Sequence, residues 1–426
     1  MKSKQDLTVG NINKKLWAFA IPLMLGNVMQ QFYNLVDTWV VGKYIGDNAL
    51  AAVGSSYSLM TFLTSVILGL CLGSSAFFSI TFGEKNIKRL KNGMFISFVM
   101  IGIFSLILTF ASFYLCGRIM KILQVPYDIQ GIMSEYLKWI FVGIFATFLY
   151  NYFSNLLRGI GNSVIPLVFL CVSVILNIGL DLYFVLVLKL SGIGLMIYVY
   201  IRYPELRLKY EDTKFVKRTA YDIAILSGMT CLQQSVMNFG ILMVQGIVNS
   251  FGTQIMAAFA VSVKIDTIAY MPVQDFGNAF STFIAQNFGA GKYDRIKDGI
   301  KKALKSVVLF CIFISAIVFI FAKPLMMIFV NAESTEIINI GVQYLRIEGA
   351  CYIGIGILFM LYGYYRAINK PSMSVVLTVI SLGIRVVLAY VLSRVIGVVG
   401  IWWSIPIGWF IADAVGICFY LFKFDI

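Results

Sequence analysis

Long apolar runs separated by short polar loops form the pattern of this 426-residue chain. A helix needs about 20 predominantly apolar residues to cross a bilayer core of roughly 30 Å, and many of the runs reach that length. The pattern therefore predicts an all-α polytopic membrane protein in which each run is a spanning helix. The runs lie near residues 16–41, 49–82, 94–115, 136–157, 163–188, 223–248, 255–288, 303–322, 337–365, 372–392 and 396–422, with a short twelfth run at 193–201.

The second half of the chain repeats the first. The loop GEKNIKRLKNG at 83–93 recurs as GAGKYDRIKDG at 289–299, an offset of 206 residues. Weaker matches on either side keep nearly the same offset, which indicates two repeats of about six helices each, nominally twelve in all. We expect three parts: an N-lobe over 1–201, a linker over 202–222 and a C-lobe over 223–426.

Charge predicts the orientation of these repeats. Lys and Arg outnumber Asp and Glu by 34 to 20, and they concentrate in alternate short loops such as 83–92, 202–218 and 292–302. The positive-inside rule places these loops, with both termini, on the cytoplasmic side. Equivalent loops of the two halves then share a side, so the repeats are parallel. Because the basic residues are spread over loops, we expect the bilayer as the partner and no nucleic acid.

The sixth helix is the irregular element of this plan. The fifth run ends near Lys189, yet the basic segment from Arg202 must lie on the cytoplasmic side again. The crossing between Ser191 and Ile201 has 11 residues. As a helix it is only about 16 Å long, roughly half of the hydrocarbon thickness. We therefore expect a sixth helix shortened by fifteen or more residues.

A polar stripe follows the first helix at steps of three and four residues. Such a stripe faces other helices or a water-filled cavity, because a carboxylate at mid-membrane costs about 2.5–3.5 kcal/mol. Hydrogen bonding between helices is the simpler reading for the amides, whereas the carboxylate of Asp37 favours a functional role. The stripe comprises Asn27, Gln30, Gln31, Asn34, Asp37 and Thr38.

Asn177 and Asp181 are four residues apart in the fifth run, on the same face of a helix. Carboxylate and amide oxygens suit a small hard cation. The pair could instead hold a proton if burial or a second carboxylate, such as Asp37, raises a pKa. Local packing is the alternative without function.

The second half has no copy of this acidic site. The positions equivalent to Asp37, Asn177 and Asp181 are Gly240, Arg385 and Ala389, so the ion site is expected to be asymmetric. Neutral or deeper polar residues of this half are weaker candidates for a substrate cavity: Gln234, Asn238, Asp275 and Glu348. Lys264 and Asp266 are expected near an interface, simply solvated.

Several kinds of chemistry lack their residues. The chain has no histidine, its seven cysteines form no C-x-x-C pair, and no Walker loop is present. We therefore expect a protein that is not an enzyme, without cofactor, and with no metal beyond a coupling Na⁺ at Asp37, Asn177 and Asp181.

Four segments together resemble the MATE family, the multidrug and toxic compound extrusion transporters. They are NFGAGKYDRIK at 287–297, LLRGIGNS at 156–163, DTWVVGKYIG at 37–46 and the N-x-x-x-D of the fifth helix. The resemblance runs from about Leu16 to Lys423. It implies two six-helix lobes around a central V-shaped cavity, and export driven by a sodium or proton gradient.

For this sequence the resemblance implies an exporter of small cationic, amphipathic organic compounds in a bacterial cell (inner) membrane, acting as a monomer. It gives Asp37, Asn177 and Asp181 the cation- or proton-binding role. Two alternatives remain open. One is a flippase for a lipid-linked precursor, which would use deep cations such as Arg385 and Lys264. The other is a transport-defective homologue with a curtailed sixth helix.

Overall fold

The computed structural model describes residues 6–40, 47–122, 127–179 and 184–423. Nearly all of these residues are helical, and no strand occurs among them. The helices are α1 (Ile12–Val40), α2 (Asp47–Gly83), α3 (Ile87–Ile122), α4 (Tyr127–Gly159), α5 (Val164–Gly179), α6 (Phe184–Arg202), α7 (Lys217–Asn249), α8 (Thr253–Gly289), α9 (Tyr293–Ile320), α10 (Ala322–Met327), α11 (Thr335–Ala350), α12 (Tyr352–Ala367), α13 (Pro371–Ile396) and α14 (Val398–Lys423).

The predicted all-α polytopic fold is confirmed. Within the described ranges, eight helices are long and apolar enough to span a bilayer, namely α2 to α4, α7 to α9, α13 and α14. A ninth span is the pair α11 and α12, which is bent by 52° at its junction. Shorter apolar stretches occur in α5 and α6. The order of these helices is consistent with the twelve-helix repeat.

The chain forms two compact units. The first comprises Met1–Leu7 and Ile21–Leu232, and the second comprises Thr8–Ala20 and Gln233–Ile426. The helices α1 and α7 each contribute one part to each unit. The first unit therefore holds most of one repeat and the second unit holds most of the other.

The repeated loop builds the same arrangement in both units. The helices α2 and α8 have 37 residues each and begin 206 positions apart. At the following loop, the Arg89 guanidinium lies 5.3 Å from the centre of the Phe77 ring, and Arg295 lies 5.5 Å from that of Phe283. Gly93 lies against the Phe77 ring and Gly299 against the Phe283 ring, and a Cβ at either position would collide with that ring. Ring, arginine and glycine thus recur as one packing motif.

The turns that end equivalent helices also match. Lys85 and Gly291 follow α2 and α8 with φ of 56° and 68°, and Gly161 and Asn369 follow α4 and α12 with φ of 90° and 60°. Each turn is closed by a backbone hydrogen bond of 2.8 to 3.2 Å from the next N–H to a carbonyl five residues earlier. This is the Schellman arrangement, which satisfies carbonyls at a helix end.

The expected boundary between the fifth and sixth helices is wrong. The structure assigns residues 184–190 to α6, which is described over 19 residues and a length of about 28 Å. The uninterrupted apolar run 163–188 concealed the boundary, because hydropathy alone assigned residues from 184 to helix five.

In the first unit, α2, α3, α4 and α6 pack around an aromatic centre. The Phe98, Phe148 and Tyr152 rings contact one another, and the Tyr152 hydroxyl donates to the Met94 carbonyl at 2.6 Å. In the second unit α8, α11, α12, α13 and α14 pack together, and a largely apolar cavity that contains charged side chains lies among them.

Candidate functional site

The predicted acidic site of the first unit falls outside the side chains that the structure describes. Asp37, Asn34 and Thr38 belong to α1 and Asn177 to α5, but only their backbone is described, and Asp181 lies outside the described residues. Gln30 and Gln31, the last described side chains of the stripe, are exposed. The cation site at Asp37, Asn177 and Asp181 therefore stays a prediction.

The weaker candidates of the second half are placed in different surroundings. Glu348 is 1% exposed and lines a cavity of the second unit. Asp275 is buried in α8 but does not line that cavity. The half-buried Gln234 and Asn238 do not line it either, because α7 presents its apolar face there.

The cavity is lined by residues of α7, α8, α11, α12, α13 and α14, all within Gln233–Ile426. Its volume is about 130 Å³. At 10–15 Å³ for each water-sized centre, it holds roughly ten water-sized groups. It therefore accommodates a compact polar or cationic group. Its aromatic wall comprises Phe259, Tyr270, Tyr344, Phe359, Tyr362 and Trp409.

Two carboxylates meet in this cavity. Asp266 of α8, 5% exposed, neighbours Glu348 of α11, and the two side chains interact. The Tyr352 hydroxyl lies beside Asp266, and the Tyr344 hydroxyl lies beside Glu348. Asp266 Oδ1 and Glu348 Oε1 have no hydrogen-bond partner in the part of the chain that the structure describes. The expectation that Asp266 is simply solvated is therefore wrong, whereas its neighbour Lys264 is exposed.

Arg385 of α13 supplies the positive charge. Its charge acts on both Asp266 and Glu348, and its guanidinium lies 5.8 Å from the centre of the Trp409 ring. Its Nε atom has no hydrogen-bond partner among the described residues. With all three groups ionised, the cluster has one more negative than positive charge.

The break between α11 and α12 fixes the position of Glu348. At Cys351 the backbone N–H donates to the Glu348 carbonyl at 2.9 Å, a bond to the third preceding residue that tightens the last turn of α11. The chain then turns by 52° into α12. Glu348 therefore lies in the last turn of a helix whose C-terminal end points into the protein interior. In the first unit the equivalent α4 runs unbroken from Tyr127 to Gly159.

Close contact between α8 and α12 brings the two sides of the site together. At Gly363 an added Cβ would lie 2.6 Å from the Gly277 carbonyl oxygen. The two backbones can approach only because this position has no side chain. This contact packs α12 directly against α8, the helix that carries Asp266.

The cluster can exchange one positive charge. Two ionised carboxylates in one cavity repel each other, so binding of a proton or an organic cation to one of them relieves the repulsion. The positive charge of Arg385 neutralises the negative charge of the other carboxylate. Aromatic faces around the cavity also attract cations, since the ring quadrupole is negative at its face. The arrangement suits alternation between a proton and a cationic group.

Comparison with known proteins agrees with this architecture. The MatE family model matches residues 22–183 and 227–391, and the two blocks follow the two repeats. The chain belongs to the MatE family. The second MatE block contains Asp266, Glu348 and Arg385, so the whole charge cluster lies in one repeat.

Among curated MatE relatives, "Probable multidrug resistance protein YpnP" of Bacillus subtilis is 26% identical over 389 residues, covering 88% of this chain and 87% of its own. "Probable multidrug resistance protein NorM" of Thermotoga maritima is 24% identical, with coverage of 92% and 89%. The "FAD transporter" of Shewanella oneidensis is 21% identical, with coverage of 96% and 94%.

Solved structures share the MatE fold. A "MOP superfamily transporter from Pyrococcus furiosus", whose title describes a binding pocket of reverse polarity, superposes with a TM-score of 0.91 at 20% identity. A "multidrug resistance MATE family transporter" in an outward-facing conformation gives 0.92 at 20% identity. Both cover 98% of this chain and 97% of their own.

Proposed function

We propose that this chain is a secondary active exporter of small cationic, amphipathic organic compounds, which leave the cell in exchange for protons. The observation that supports this function best is the buried pair Asp266 and Glu348, facing Arg385 across a cavity with an aromatic wall. The names of the multidrug relatives support the same class of substrate.

Exchange follows from competition for one negative charge. When both carboxylates are ionised, the cavity has one uncompensated negative charge and attracts the cationic group of a substrate. When a proton binds to one carboxylate, that charge disappears and the substrate cation is released. A proton and a substrate thus bind alternately, and each biases the transporter toward the state that it prefers.

The cluster favours H⁺ over Na⁺ as the coupling ion at this site. A sodium ion needs several oxygen ligands around it, and the nearby Arg385 guanidinium would repel it. A proton needs only one carboxylate oxygen. Asp266 Oδ1 and Glu348 Oε1 have no hydrogen-bond partner among the described residues, so either of them can accept it. The predicted site at Asp37, Asn177 and Asp181 remains a second cation site for Na⁺ or H⁺.

The two alternatives receive less support. A flippase for a pyrophosphate-linked lipid needs several cations in its cavity, but Lys264 is exposed and Arg385 faces two carboxylates. The alternative of a transport-defective chain rests on a half-length sixth helix. The 19 residues of α6 instead reach about 28 Å, close to the bilayer core.

We also propose the bacterial inner membrane as the location, with the basic loops and both termini in the cytoplasm and the monomer as the working form. The Lys and Arg bias of the loops supports this orientation.

Transport by proteoliposomes tests the function. With an imposed pH gradient and a fluorescent organic cation, we expect wild type to transport, and Asp266→Asn and Glu348→Gln each to slow transport at least tenfold. The reason is that each substitution removes the negative charge for which the proton and the substrate compete.

A matched control lies on the same helix. Glu336 is exposed in the first turn of α11, so Glu336→Gln is expected to transport like wild type. A sodium gradient without a pH gradient should drive little transport through this site. Wild-type rates in both Asp266→Asn and Glu348→Gln would contradict the proposal.

A further inference from the structure

The segment between α6 and α7 is fixed against the first unit. Two short 3₁₀ turns, Pro204–Leu206 and Tyr210–Thr213, shape it. The side chains of its residues Tyr203 and Leu206 are buried. The segment 203–216 is called the linker platform below.

Polar contacts from α3 hold the linker platform in place. The Lys91 ammonium donates to the Asp212 carboxylate at 3.2 Å, and the Lys209 backbone N–H donates to the same carboxylate at 2.8 Å. The Asn92 side-chain amide donates to the Asp212 carbonyl at 3.0 Å and to the Lys214 carbonyl at 2.7 Å. The backbone therefore has a defined conformation that can present side chains outward.

Aromatic side chains project from the platform and the adjoining helix ends. Tyr210 is 87% exposed and Phe215 is 69% exposed, whereas Tyr200 and Tyr221 extend from α6 and α7 to similar degrees. Large exposed aromatic groups next to the ends of spanning helices are typical of the membrane–water boundary. They indicate that this face contacts lipid.

The same face is basic. Between Arg202 and Arg218 the chain has six Lys or Arg and three Asp or Glu, and one of those acids, Asp212, already pairs with Lys91. All six basic residues are exposed: Arg202, Arg207, Lys209, Lys214, Lys217 and Arg218. The Arg207 side chain has a fixed orientation. Its Nε donates to the Tyr200 carbonyl at 3.0 Å, and its guanidinium lies 4.7 Å from the centre of the Tyr200 ring.

We propose that the linker platform binds the headgroups of anionic phospholipids. Its basic side chains complement the phosphates, and Tyr210 and Phe215 enter the headgroup region beside them. Clustered Lys and Arg next to a spanning helix attract anionic lipid. The exposed aromatic groups argue for a lipid surface, since aromatic rings would not contribute to the binding of free phosphate ions. The inference does not depend on the proposed transport chemistry.

Native mass spectrometry of the purified full chain in detergent tests this binding. We expect wild type to bind phosphatidylglycerol at least tenfold more tightly than phosphatidylcholine. The variant Lys209→Gln, Lys214→Gln, Lys217→Gln should lose most of this preference. The variant Tyr210→Ser, Phe215→Ser should weaken binding of both lipids without a change of charge.

The matched control removes three exposed lysines elsewhere. The variant Lys301→Gln, Lys302→Gln, Lys305→Gln in α9 should keep the preference of wild type. All variants are first checked for an unchanged melting temperature. Equal losses in the two lysine variants would show that only net charge matters, and displacement of the lipid by millimolar inorganic phosphate would show an anion site. Either result would overturn the proposal.

Discussion

At the scale of single residues, Asp212 carries the attachment of the linker platform. Burial by itself would raise the pKa of this carboxyl, but hydrogen bonds from the Lys209 backbone and the Lys91 ammonium outweigh it and lower the pKa below that of an ordinary aspartate. A carboxylate with a lowered pKa stabilises the folded form above its unfolded-state pKa. That contribution is lost as the pH falls through the folded-state pKa.

We therefore predict that Asp212→Asn loosens the linker platform at pH 7 by about 1–3 kcal/mol. Hydrogen–deuterium exchange of residues 203–216 measures the effect as lost protection. The difference from wild type should shrink as the pH falls through the lowered pKa of Asp212, because the wild-type carboxylate then protonates. Glu211→Gln, at the exposed neighbour, serves as the control. Equal protection in Asp212→Asn and wild type at pH 7 would contradict this role.

Lys264 and Asp266 show what the sequence could predict about the site. They stand two positions apart on α8, about 200° around the helix, so one points outward when the other points into the unit. The pattern identified two charged residues in an apolar span, but both faces of that span carry apolar residues. Only packing against α11 and α13 decided that Asp266 is buried. Glu348 was a candidate because it is the one carboxylate in the apolar run 337–365.

At the scale of helices and turns, the repeated loop makes a paired prediction. Gly93→Ala and Gly299→Ala should both destabilise the protein, because the new methyl group collides with the Phe77 or Phe283 ring. Overpacking costs about 1–3 kcal/mol, partly offset by about 1 kcal/mol of helix propensity.

Melting temperatures of the purified variants measure this effect. Gly117→Ala in α3 is the control, since open space surrounds that position, and it should leave the melting temperature unchanged or raised. If only one of the two alanine variants melts earlier than wild type, the repeats do not share this motif.

Helix number was easier to predict than helix limits. Repeated loops and charge bias indicated the repeat, whereas α5 and the start of α6 belong to one apolar run, 163–188, whose single proline, Pro166, stands near its beginning. The bend at Cys351 was likewise hidden, because residues 337–365 form one continuous apolar run. Bends of this kind depend on what neighbouring helices allow, and a single-sequence pattern carries no such information.

At the scale of the whole molecule, the sequence predicted the all-helical fold, the repeat and the family. It placed the coupling site at Asp37, Asn177 and Asp181, and the described structure adds a second acidic site that pairs distant segments. In the sequence, Glu348 follows Asp266 by 82 positions, and Arg385 follows Glu348 by 37 positions. Their proximity depends on three helix packings, which no local pattern encodes.

The proposed orientation makes a whole-molecule prediction. A cysteine at Tyr210, in a chain whose exposed Cys418 is replaced by serine, should react with a membrane-impermeant reagent in inside-out vesicles and not in intact cells. The expectation follows because an even number of crossings must precede the basic linker. Labelling in intact cells would mean that α6 does not cross the bilayer.

Proton release from the purified protein tests the central claim most directly. A saturating organic cation is added to wild type in weakly buffered detergent solution, and a pH indicator measures released protons against bound cation. Competition at Asp266 and Glu348 predicts release that rises toward one proton for each cation as the pH is lowered, and its loss in the variant Asp266→Asn, Glu348→Gln. Undiminished release from that variant, with the cation still bound, would contradict the account.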